Sequence, residues 1–545
     1  MKNIPLYEVR PIQDLRDMIQ QSAGLYGDKP VFLVKDPRAI GQPAAAATQT
    51  GRSSDAGSAP YQPVTYQKFA RDVDALGTWF FKQSLQGSRI AILAETRYEW
   101  YVTYLATVNG TGIVVPLDKE LPQAEIANLL NRSQADVLVY ASSKQKEVDA
   151  IRDSITTVKT FIAMDPPTVA GDLYFWDCLT EGEDLLAKGS TAFTTAPIDP
   201  EALSILLFTS GTTAMSKAVM LNHRNICINL QAMCQMLYIG PDDIFLSVLP
   251  LHHTYECTCG FLCPVYRGAT VAVCEGLRHI TKNMQESKVT IMLAVPLMLE
   301  LFYKRIMKSA TSDPRLAKKF RLGLKISGFL RKIGIDKRKK LFAKVHDNFG
   351  GHLRLLIAGG AAIDPAIIAG LRDLGLESVQ GYGLTECAPI LALNRDVDYK
   401  DNAAGLPLPG VEIKIIEPDE NGIGEIVGRG PNVMMGYFEN EEATQEAIEF
   451  KLLQNDLIAE CLVSGREDEA GETIVRADIF PNEEKVREIF GDIPLDSKDV
   501  RDAIDQIIRS VNHGMVTYKY IREFDLRPTE FEKTSSKKIK RTYKK

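Results

Sequence analysis

The sequence predicts an α/β protein that is built largely on parallel β-sheets and has more than one domain. Short, apolar, β-rich runs alternate with longer helical patterns, which is typical of a parallel sheet. Several of these runs end in small residues, at the strand ends where α/β folds bind their ligands. The length of 545 residues is too great for one hydrophobic core. We therefore expect at least two domains.

The predicted strands follow one another along the chain, and a helix is predicted from Trp100 to Asn109 after the first of them. They are RIAILAE (Arg89 to Glu95), GIVVPLD (Gly112 to Asp118), ADVLVYAS (Ala135 to Ser142), LSILLF (Leu203 to Phe208), TIMLAVP (Thr290 to Pro296), LRLLIAGG (Leu353 to Gly360) and ESVQGYG (Glu377 to Gly383). Residues Val411 to Gly430 differ, because two alternating strands flank a polar turn. That segment predicts an antiparallel or barrel-like piece.

The composition restricts the classes of function. A hydrophobic content of 45% and a charged content of 25% are typical of a soluble globular protein, and the net charge of −6 favours no nucleic-acid partner. The nine cysteines are scattered without the spacing of a zinc site, so we expect reduced thiols. Charged residues in the N-terminal segment argue against a signal peptide, and no apolar run is long enough for a membrane span. We therefore expect a cytoplasmic location with at most peripheral membrane contact.

A loop rich in hydroxyl groups follows the strand Leu203 to Phe208. Its candidate ligand-binding residues are Thr209, Ser210, Gly211, Thr212, Thr213 and Lys217. Backbone N–H groups without large side chains close around an anion, and a lysine supplies a point charge for a polyphosphate. A simple connecting turn is the alternative. The Walker A pattern is excluded, because Ser216 stands where that pattern needs a glycine.

The segment TSGTTAMSKAVMLNH resembles the phosphate loop of the AMP-forming adenylating enzymes, the superfamily of acyl-CoA synthetases, peptide-synthetase adenylation domains and luciferases. The family usually has TSGTTGxPKG, from which Ala214, Ser216 and Ala218 depart. Further matches follow in the family's order: GGAAID (Gly359 to Asp364), QGYGLTE (Gln380 to Glu386), GLPLPG (Gly405 to Gly410) and GEIVGRGPNVMMGYF (Gly424 to Phe438). The sequences of the loop and of the C-terminal tail are most similar to those of bacterial long-chain fatty acid CoA ligases.

The resemblance implies a fold and a reaction. Residues 1–448 would form a large domain with two parallel-rich βα sheets and a distorted β-barrel, and residues 449–545 part of a small α+β domain. A flexible insertion is expected at about 38–60, which is rich in Ala, Gly, Ser and Pro. The implied reaction is ATP-dependent activation of a long-chain fatty acid to an acyl-adenylate, with release of pyrophosphate, followed by thioester formation with coenzyme A.

The resemblance also implies roles for residues around the nucleotide. Gly359, Gly360 and Ala361 would border the adenine, and Gly381 and Gly383 would let the backbone approach the ligand. Tyr382 would stack on adenine, although simple core packing is the alternative for a tyrosine. Thr385 would bond the α-phosphate, and Glu386 would hold Mg²⁺ between phosphate oxygens.

Two further segments would complete the catalytic site. In PLHHTYE (Pro250 to Glu256), the resemblance places His253 near the reacting carboxylate and Tyr255 at the acyl tunnel, with Gly383 also facing the substrate. A histidine that only packs at a strand end is the alternative. In KTSSKKIKR, it implies that Lys538 stabilises the charge that develops at the carboxylate and α-phosphate. A solvated basic tail is the alternative for that cluster.

One departure bears on activity. The family has a TGD motif, whose aspartate holds the ribose hydroxyls, followed by a hinge and a GRxK motif. In this chain neither the TGD motif nor the GRxK motif occurs after Phe438. Loss of both should lower the rate by orders of magnitude. Two alternatives to the ligase therefore remain, a nucleotide- or acyl-binding protein without turnover and a fatty acyl-AMP ligase. The oligomeric state is left open.

A basic stretch from Tyr303 to Lys344 has apolar residues interleaved at near-helical spacing. A basic amphipathic helix can rest on anionic lipid, which would place the protein peripherally on the inner face of the membrane. A solvated helix face is the alternative.

Overall fold

The computed structural model describes residues 4–40, 60–209, 216–439, 455–467, 473–513 and 520–532, together with residues 445, 448–449 and 452–453. The chain forms two compact units. The first unit contains Met1–Phe208 and Leu221–Met434, and the second contains Thr209–Met220 and Met435–Lys545. Most of the predicted insertion, residues 41–59, lies outside the described residues.

The described strands are numbered in chain order, and the second unit contains most of β9 and all of β19 to β22. They are β1 (Pro30–Val34), β2 (Gln62–Thr65), β3 (Ser88–Leu93), β4 (Gly112–Pro116), β5 (Val137–Tyr140), β6 (Thr160–Ala163), β7 (Leu173–Tyr174), β8 (Leu203–Thr209), β9 (Lys217–Asn222), β10 (Ile244–Ser247), β11 (Thr270–Val273), β12 (Ile291–Ala294), β13 (Leu355–Ala358), β14 (Ser378–Gly383), β15 (Ile390–Leu393), β16 (Leu406–Pro407), β17 (Glu412–Ile416), β18 (Glu425–Arg429), β19 (Gly436–Tyr437), β20 (Ile458–Glu467), β21 (Thr473–Pro481) and β22 (Ile521–Leu526).

The described helices are numbered in the same way, and α15 and α16 belong to the second unit. They are α1 (Leu15–Tyr26), α2 (Tyr66–Lys82), α3 (Tyr98–Ala106), α4 (Gln123–Arg132), α5 (Gln145–Ile151), α6 (Phe175–Ala187), α7 (His223–Met236), α8 (Cys263–Arg267), α9 (Ile280–Ser287), α10 (Pro296–Ala310), α11 (Pro314–Lys332), α12 (Arg338–Leu341), α13 (Ala343–Asn348), α14 (Pro365–Asp373), α15 (Glu483–Phe490) and α16 (Lys498–His513). A π-helical segment, Tyr255–Leu262, leads directly into α8.

The larger sheet of the first unit has nine strands in the order β16-β15-β14-β13-β12-β10-β11-β1-β2. The six strands from β14 to β1 run parallel, and antiparallel strands complete both edges. In the middle of this sheet Ile291 lies opposite Leu355, and Leu356 lies opposite Ser378. Every residue of β12 and β13 is buried, as expected for parallel strands that helices cover on both faces.

A second sheet of the first unit contains β8, β4, β3, β5, β6 and β7, all parallel. The predicted parallel-rich α/β class is therefore confirmed. Strands β17 and β18 form the antiparallel hairpin predicted between Val411 and Gly430. They form a sheet by themselves, and the described part of the chain contains no closed barrel around them.

In the second unit, β20 pairs antiparallel with β21, which pairs parallel with β22. The helices α15 and α16 pack on this sheet through Val486, Val500 and Ile504, which share a buried cluster with Ile479. This is the α+β arrangement implied for the small domain. Strands β9 and β19 pair antiparallel. The boundary at residue 448 stays a prediction.

All nine cysteines are buried and none forms a disulfide. Burial raises the thiol pKa of Cys178 and Cys257 to about 12 and of Cys274 to about 11. These thiols are therefore protonated at neutral pH. Across the described ranges, no helix is long and apolar enough to cross a membrane.

Candidate functional site

A cavity of about 410 Å³ lies in the first unit at the C-terminal ends of four parallel strands. Leu249 lines it shortly after β10, Val295 directly after β12, and Gly359 directly after β13. The last residues of β14, Gly381 to Gly383, complete this edge. Parallel α/β sheets bind ligands at their carboxyl ends, where the loops diverge and leave a crevice. The topology therefore marks this cavity as the candidate site.

Much of the cavity wall is apolar. Its apolar lining includes Met233, Leu237, Ile239, Leu293, Ile390 and Leu393. Such a wall favours an apolar ligand, because burial removes hydrocarbon surface from water at both partners.

The structure brings together eight of the residues that the sequence assigned to nucleotide and acid. The predicted residues that line the cavity are His253, Tyr255, Gly359, Gly360, Gly381, Tyr382, Gly383 and Thr385. Two segments that are far apart in sequence, PLHHTYE and QGYGLTE, meet here. The hydroxyl of Thr254 donates to the hydroxyl of Thr385 across 3.5 Å and links them directly.

Other predicted residues lie elsewhere. Ala361 is exposed and does not line the cavity. Glu386 is half-buried beside Thr385, and its carbonyl oxygen accepts a hydrogen bond from the Met434 N–H at 2.7 Å. The loop residues Ser210, Gly211, Thr212 and Thr213, and the tail residue Lys538, lie outside the described residues.

Thr209 and Lys217 bracket the predicted phosphate loop and belong to the second unit. The Thr209 hydroxyl donates to the Lys217 carbonyl oxygen at 3.4 Å, which draws the two ends of the loop together. The Lys217 ammonium lies 4.9 Å from the centre of the Tyr437 ring, within the range of a cation–π interaction. Pairing of β9 with β19 brings this tyrosine beside the lysine, because Tyr437 lies opposite Val219.

Two cavity glycines are required by close packing. A Cβ atom on Gly383 would collide with the carbonyl oxygen of Pro389 in the neighbouring backbone. A Cβ atom on Gly359 would come within 2.7 Å of the Tyr255 ring. The resemblance to adenylating enzymes implied that the glycines of QGYGLTE let the backbone approach a nucleotide. The structure supplies an additional reason, contact between β14 and the chain that returns along it.

Tyr255 is held in place at the cavity wall. Its hydroxyl donates to the carbonyl oxygen of Ile357 at 2.8 Å, and burial raises its pKa well above the usual value. The hydrogen bond fixes the ring between the π-helical segment and β13. Its predicted role at the acyl tunnel stays a prediction.

Glu256 is a cavity residue to which the sequence analysis assigned no role. It is fully buried, and its Oε1 accepts a hydrogen bond from the Ser247 hydroxyl at 2.6 Å. Ser247 in turn accepts one from the Tyr101 hydroxyl at 3.0 Å, whereas Oε2 of Glu256 has no partner among the described residues. Burial raises the pKa of Glu256 to about 8. At neutral pH the carboxyl group is therefore mostly protonated and uncharged.

His252 and His253 form a pair next to the cavity, with ring centres 4.1 Å apart. Burial, together with the neighbouring His253, lowers the pKa of His252 to about 4. Desolvation also lowers the pKa of His253, although this residue keeps much of its surface exposed. Asp118 opposes the lowering of both pKa values only partly. Its Oδ2 lies 3.6 Å from Nε2 of His252. Both rings are therefore neutral at pH 7.

Protonation of His252 should destabilise the fold in mild acid. Its pKa is lower in the folded state than the ordinary value near 6.5, so its contribution to stability is present above that pH and is lost as the pH falls towards 4. We expect the free energy of unfolding to drop by roughly 2 kcal/mol more in the native chain than in His252→Gln between about pH 6.5 and 5. Urea unfolding measured by tryptophan fluorescence checks this, because Trp79, Trp100 and Trp176 all lie in the first unit. Parallel pH profiles of the two proteins would contradict it.

Sequence reasoning missed Thr254 and Glu256 as cavity residues, although both stand in the quoted PLHHTYE segment. Their position in the sequence could have indicated this, since they flank Tyr255 in a short segment after an apolar strand. The cavity residues Cys259 and Cys263 carried no comparable signal, because their orientation depends on the π-helical segment. π-Helical turns are rare and often occur at functional sites.

Comparison with known proteins agrees with this geometry. A profile of AMP-binding enzymes matches residues 41–438. Long-chain-fatty-acid–CoA ligase 6 of Mus musculus is 29% identical over 428 residues, which cover 72% of this chain and 60% of the relative. The corresponding ligase 1 of Cavia porcellus is 27% identical over 427 residues, with the same coverage. The chain thus spans about 60% of the length of the curated relatives it matches.

A solved structure shares the fold. A long-chain-fatty-acid-CoA ligase from Archaeoglobus fulgidus superposes with a TM-score of 0.62 at 17% identity, covering 97% of this chain and 99% of that one. The resemblance predicted from the motifs is confirmed. Because the matching profile covers well over half of the chain, the protein belongs to the AMP-binding enzyme family.

Proposed function

We propose that this protein activates a carboxylic acid by attack on the α-phosphate of ATP, releases pyrophosphate, and passes the acyl group to coenzyme A. The observation that carries this proposal is the cavity at the carboxyl ends of β10, β12, β13 and β14. It combines an extensive apolar wall with the hydroxyl of Thr385 and the glycine edge of β14. Such a cavity can hold an apolar acid next to a phosphate.

The long-chain fatty acid is the proposed substrate. The apolar lining suits a hydrocarbon chain, and the two curated relatives carry long-chain-fatty-acid–CoA ligase in their names. The rings of His252 and His253 are neutral at pH 7 and the carboxyl group of Glu256 is mostly protonated, so none of the three places a full charge against the chain. The fatty acyl-AMP ligase, which stops at the adenylate or hands it to a carrier protein, differs from this proposal only after the adenylate has formed.

The residues would act mainly by positioning and by stabilising charge. The Thr385 hydroxyl is held by Thr254 and is available to donate to a phosphate oxygen. Tyr382 lines the cavity and is the residue proposed to stack on adenine. Lys217 and Lys538 remain the proposed cations for the polyphosphate and for the reacting carboxylate, respectively.

The chain's donor set fits a magnesium ion that is bound largely by its substrate. Within the described ranges, no group of three or more His, Cys, Asp or Glu side chains is arranged so that it could hold a metal ion. Mg²⁺ commonly binds one or two carboxylates together with substrate phosphates, and Glu386 beside Thr385 would provide the carboxylate. Such an ion neutralises charge on the phosphate oxygens.

A second candidate function is binding of nucleotide or fatty acid without turnover. The absence of TGD and GRxK after Phe438 favours it, because those motifs would supply the ribose-binding carboxylate and a basic side chain. The cavity would be retained in that case, since all its lining residues belong to the first unit.

Release of pyrophosphate by the full chain, with acids from acetate to palmitate, tests the proposal. We expect acid-dependent release that is fastest with long saturated acids, and a rate on the order of 100-fold lower for Thr385→Val. Thr180→Val is the matched control, because the Thr180 hydroxyl only bonds the carbonyl oxygen of Trp176 on its own helix. Its rate should equal that of the native chain.

Absence of acid-dependent pyrophosphate, even after the TGD and GRxK segment is restored, would refute the ligase. Calorimetric binding of ATP or palmitate without turnover would instead establish the second candidate. Appearance of acyl-CoA, as opposed to the acyl-adenylate alone, decides between the coenzyme A ligase and the acyl-AMP ligase. We also propose a cytoplasmic location and a peripheral membrane contact through residues 303–344. The proposal includes no nucleic-acid partner.

A further inference from the structure

Helix α11 carries a row of large apolar side chains that face solvent. Leu322, Ile326 and Phe329 are 57%, 42% and 64% exposed, and Ile333, just after the helix, is 57% exposed. Their spacing of four, three and four residues places them on one side of the helix. We call Leu322, Ile326, Phe329 and Ile333 the apolar row.

The opposite side of α11 attaches the helix to the first unit. Ser327 is buried, and Phe320 and Leu324 pack against the buried cluster beneath the larger sheet. The ring of Phe320 meets that of Phe342 with centres 5.6 Å apart. Because this side is fixed to the core, the apolar row points away from it.

Lysines border the apolar row. Lys318, Lys325 and Lys332 follow each other at intervals of seven residues, which aligns them along one border, and Lys319 lies on the other border. All four are exposed. Two arginines near these lysines form ion pairs in the described part of the chain. Arg331 pairs with Asp373 at 2.9 Å, and Arg338 pairs with Glu377 at 2.6 Å.

The charge of this surface is opposite to that of the whole protein. Residues 303–344 contain fifteen Lys or Arg residues and two Asp residues, whereas the chain has a net charge of −6. The net charge of the protein therefore repels an anionic partner, whereas this surface attracts one. Many of the side chains between the cations are Leu, Ile or Phe.

We propose that the apolar row and its bordering lysines form a docking surface for a bilayer that contains anionic lipid. The apolar side chains enter the boundary between headgroups and acyl chains, and the lysines lie at the level of the lipid phosphates. A nucleic acid fits less well, because its backbone offers phosphates but no hydrocarbon for four exposed apolar side chains. This inference rests on the membrane contact proposed above and specifies its surface, and it does not depend on the proposed reaction.

Sedimentation of the full chain with vesicles of phosphatidylglycerol and phosphatidylcholine tests the surface. We expect binding to these vesicles at low salt, little binding to pure phosphatidylcholine, and a decrease with added salt. The variant Lys318→Glu/Lys325→Glu/Lys332→Glu should bind at least about tenfold more weakly, since each basic residue near an anionic surface contributes roughly 1 kcal/mol. The variant Leu322→Ser/Phe329→Ser should also bind more weakly, but with its salt dependence retained.

The matched control reverses three exposed lysines elsewhere, Lys146→Glu/Lys159→Glu/Lys188→Glu, and changes the net charge equally. Its binding should be that of the native chain. Unaltered tryptophan fluorescence in every variant checks that the first unit is folded. The proposal is overturned by absence of binding to anionic vesicles at low salt, by equal losses in the test and control variants, or by duplex DNA displacing the vesicles at equal phosphate concentration.

Discussion

Replacing Gly383 with alanine is expected to destabilise the first unit by about 3 kcal/mol or more. The added Cβ would collide with the carbonyl oxygen of Pro389, which belongs to the backbone that returns along β14 as β15. A backbone atom cannot turn aside as a side chain can, so the two strands must separate locally. The same movement would displace Tyr382 and Thr385, and any activity of the cavity should fall with stability.

Two other glycines provide a graded comparison. A Cβ on Gly381 would meet the end of the Leu393 side chain at 2.9 Å, which can move. Its nearest backbone atom, the Ala392 carbonyl oxygen, would be 3.2 Å away, so Gly381→Ala should cost less than Gly383→Ala. A Cβ on Gly328 in α11 meets nothing within 4 Å, and alanine there should stabilise the helix by roughly 0.5 to 1 kcal/mol. The transition in urea, followed by tryptophan fluorescence, orders the three variants. A Gly383→Ala protein as stable as Gly381→Ala would show that β14 and β15 do not pack as described.

Replacing Glu256 with glutamine is expected to make stability less sensitive to pH above the ordinary carboxyl range. Burial raises the pKa of Glu256 to about 8 in the folded state, whereas the unfolded chain has the ordinary value near 4.5. The stability that comes from the protonated carboxyl group is therefore complete below about pH 4.5 and is lost as the pH rises towards 8. Between about pH 4.5 and 7 this loss is on the order of 3 kcal/mol, and Glu256→Gln should not show it.

The free energies of unfolding of the two proteins, compared at several pH values, test this prediction. Their difference should grow in favour of Glu256→Gln and level off above about pH 8. Ser247→Ala is a useful second variant, because the Ser247 hydroxyl lowers the pKa of Glu256 and its removal should extend the titration to higher pH. A difference that does not vary with pH would mean that water or a cation reaches the carboxyl group.

Much of the architecture could be predicted because apolar runs and small residues are local signals. The runs around Thr290 to Pro296 and Leu353 to Gly360 became β12 and β13, and the small residues at the end of β13 line the cavity. The ordered motifs then brought eight assigned residues to one place without knowledge of the strand order. In this part of the chain, the order of the motifs in the sequence and the order of the strands in the sheet both indicate the same site.

Other parts of the site depend on long-range packing. The burial of Glu256 depends on the π-helical segment and on Ser247 and Tyr101, which lie on other elements, so its altered pKa has no local signature. The contact between Thr254 and Thr385 joins residues 131 positions apart. The basic stretch from Tyr303 to Lys344 was predicted as amphipathic, but only the structure shows that one side of α11 is fixed to the core while the apolar row is exposed.

The burial of every cysteine has a practical consequence. Eight of the nine sulfhydryl groups lie in the first unit, and Cys461 lies in the second. An alkylating reagent that cannot penetrate the native protein will modify a sulfhydryl group only after its surroundings have opened. Mass spectrometry of partly alkylated samples would therefore identify which of the two units opens first, without an introduced probe.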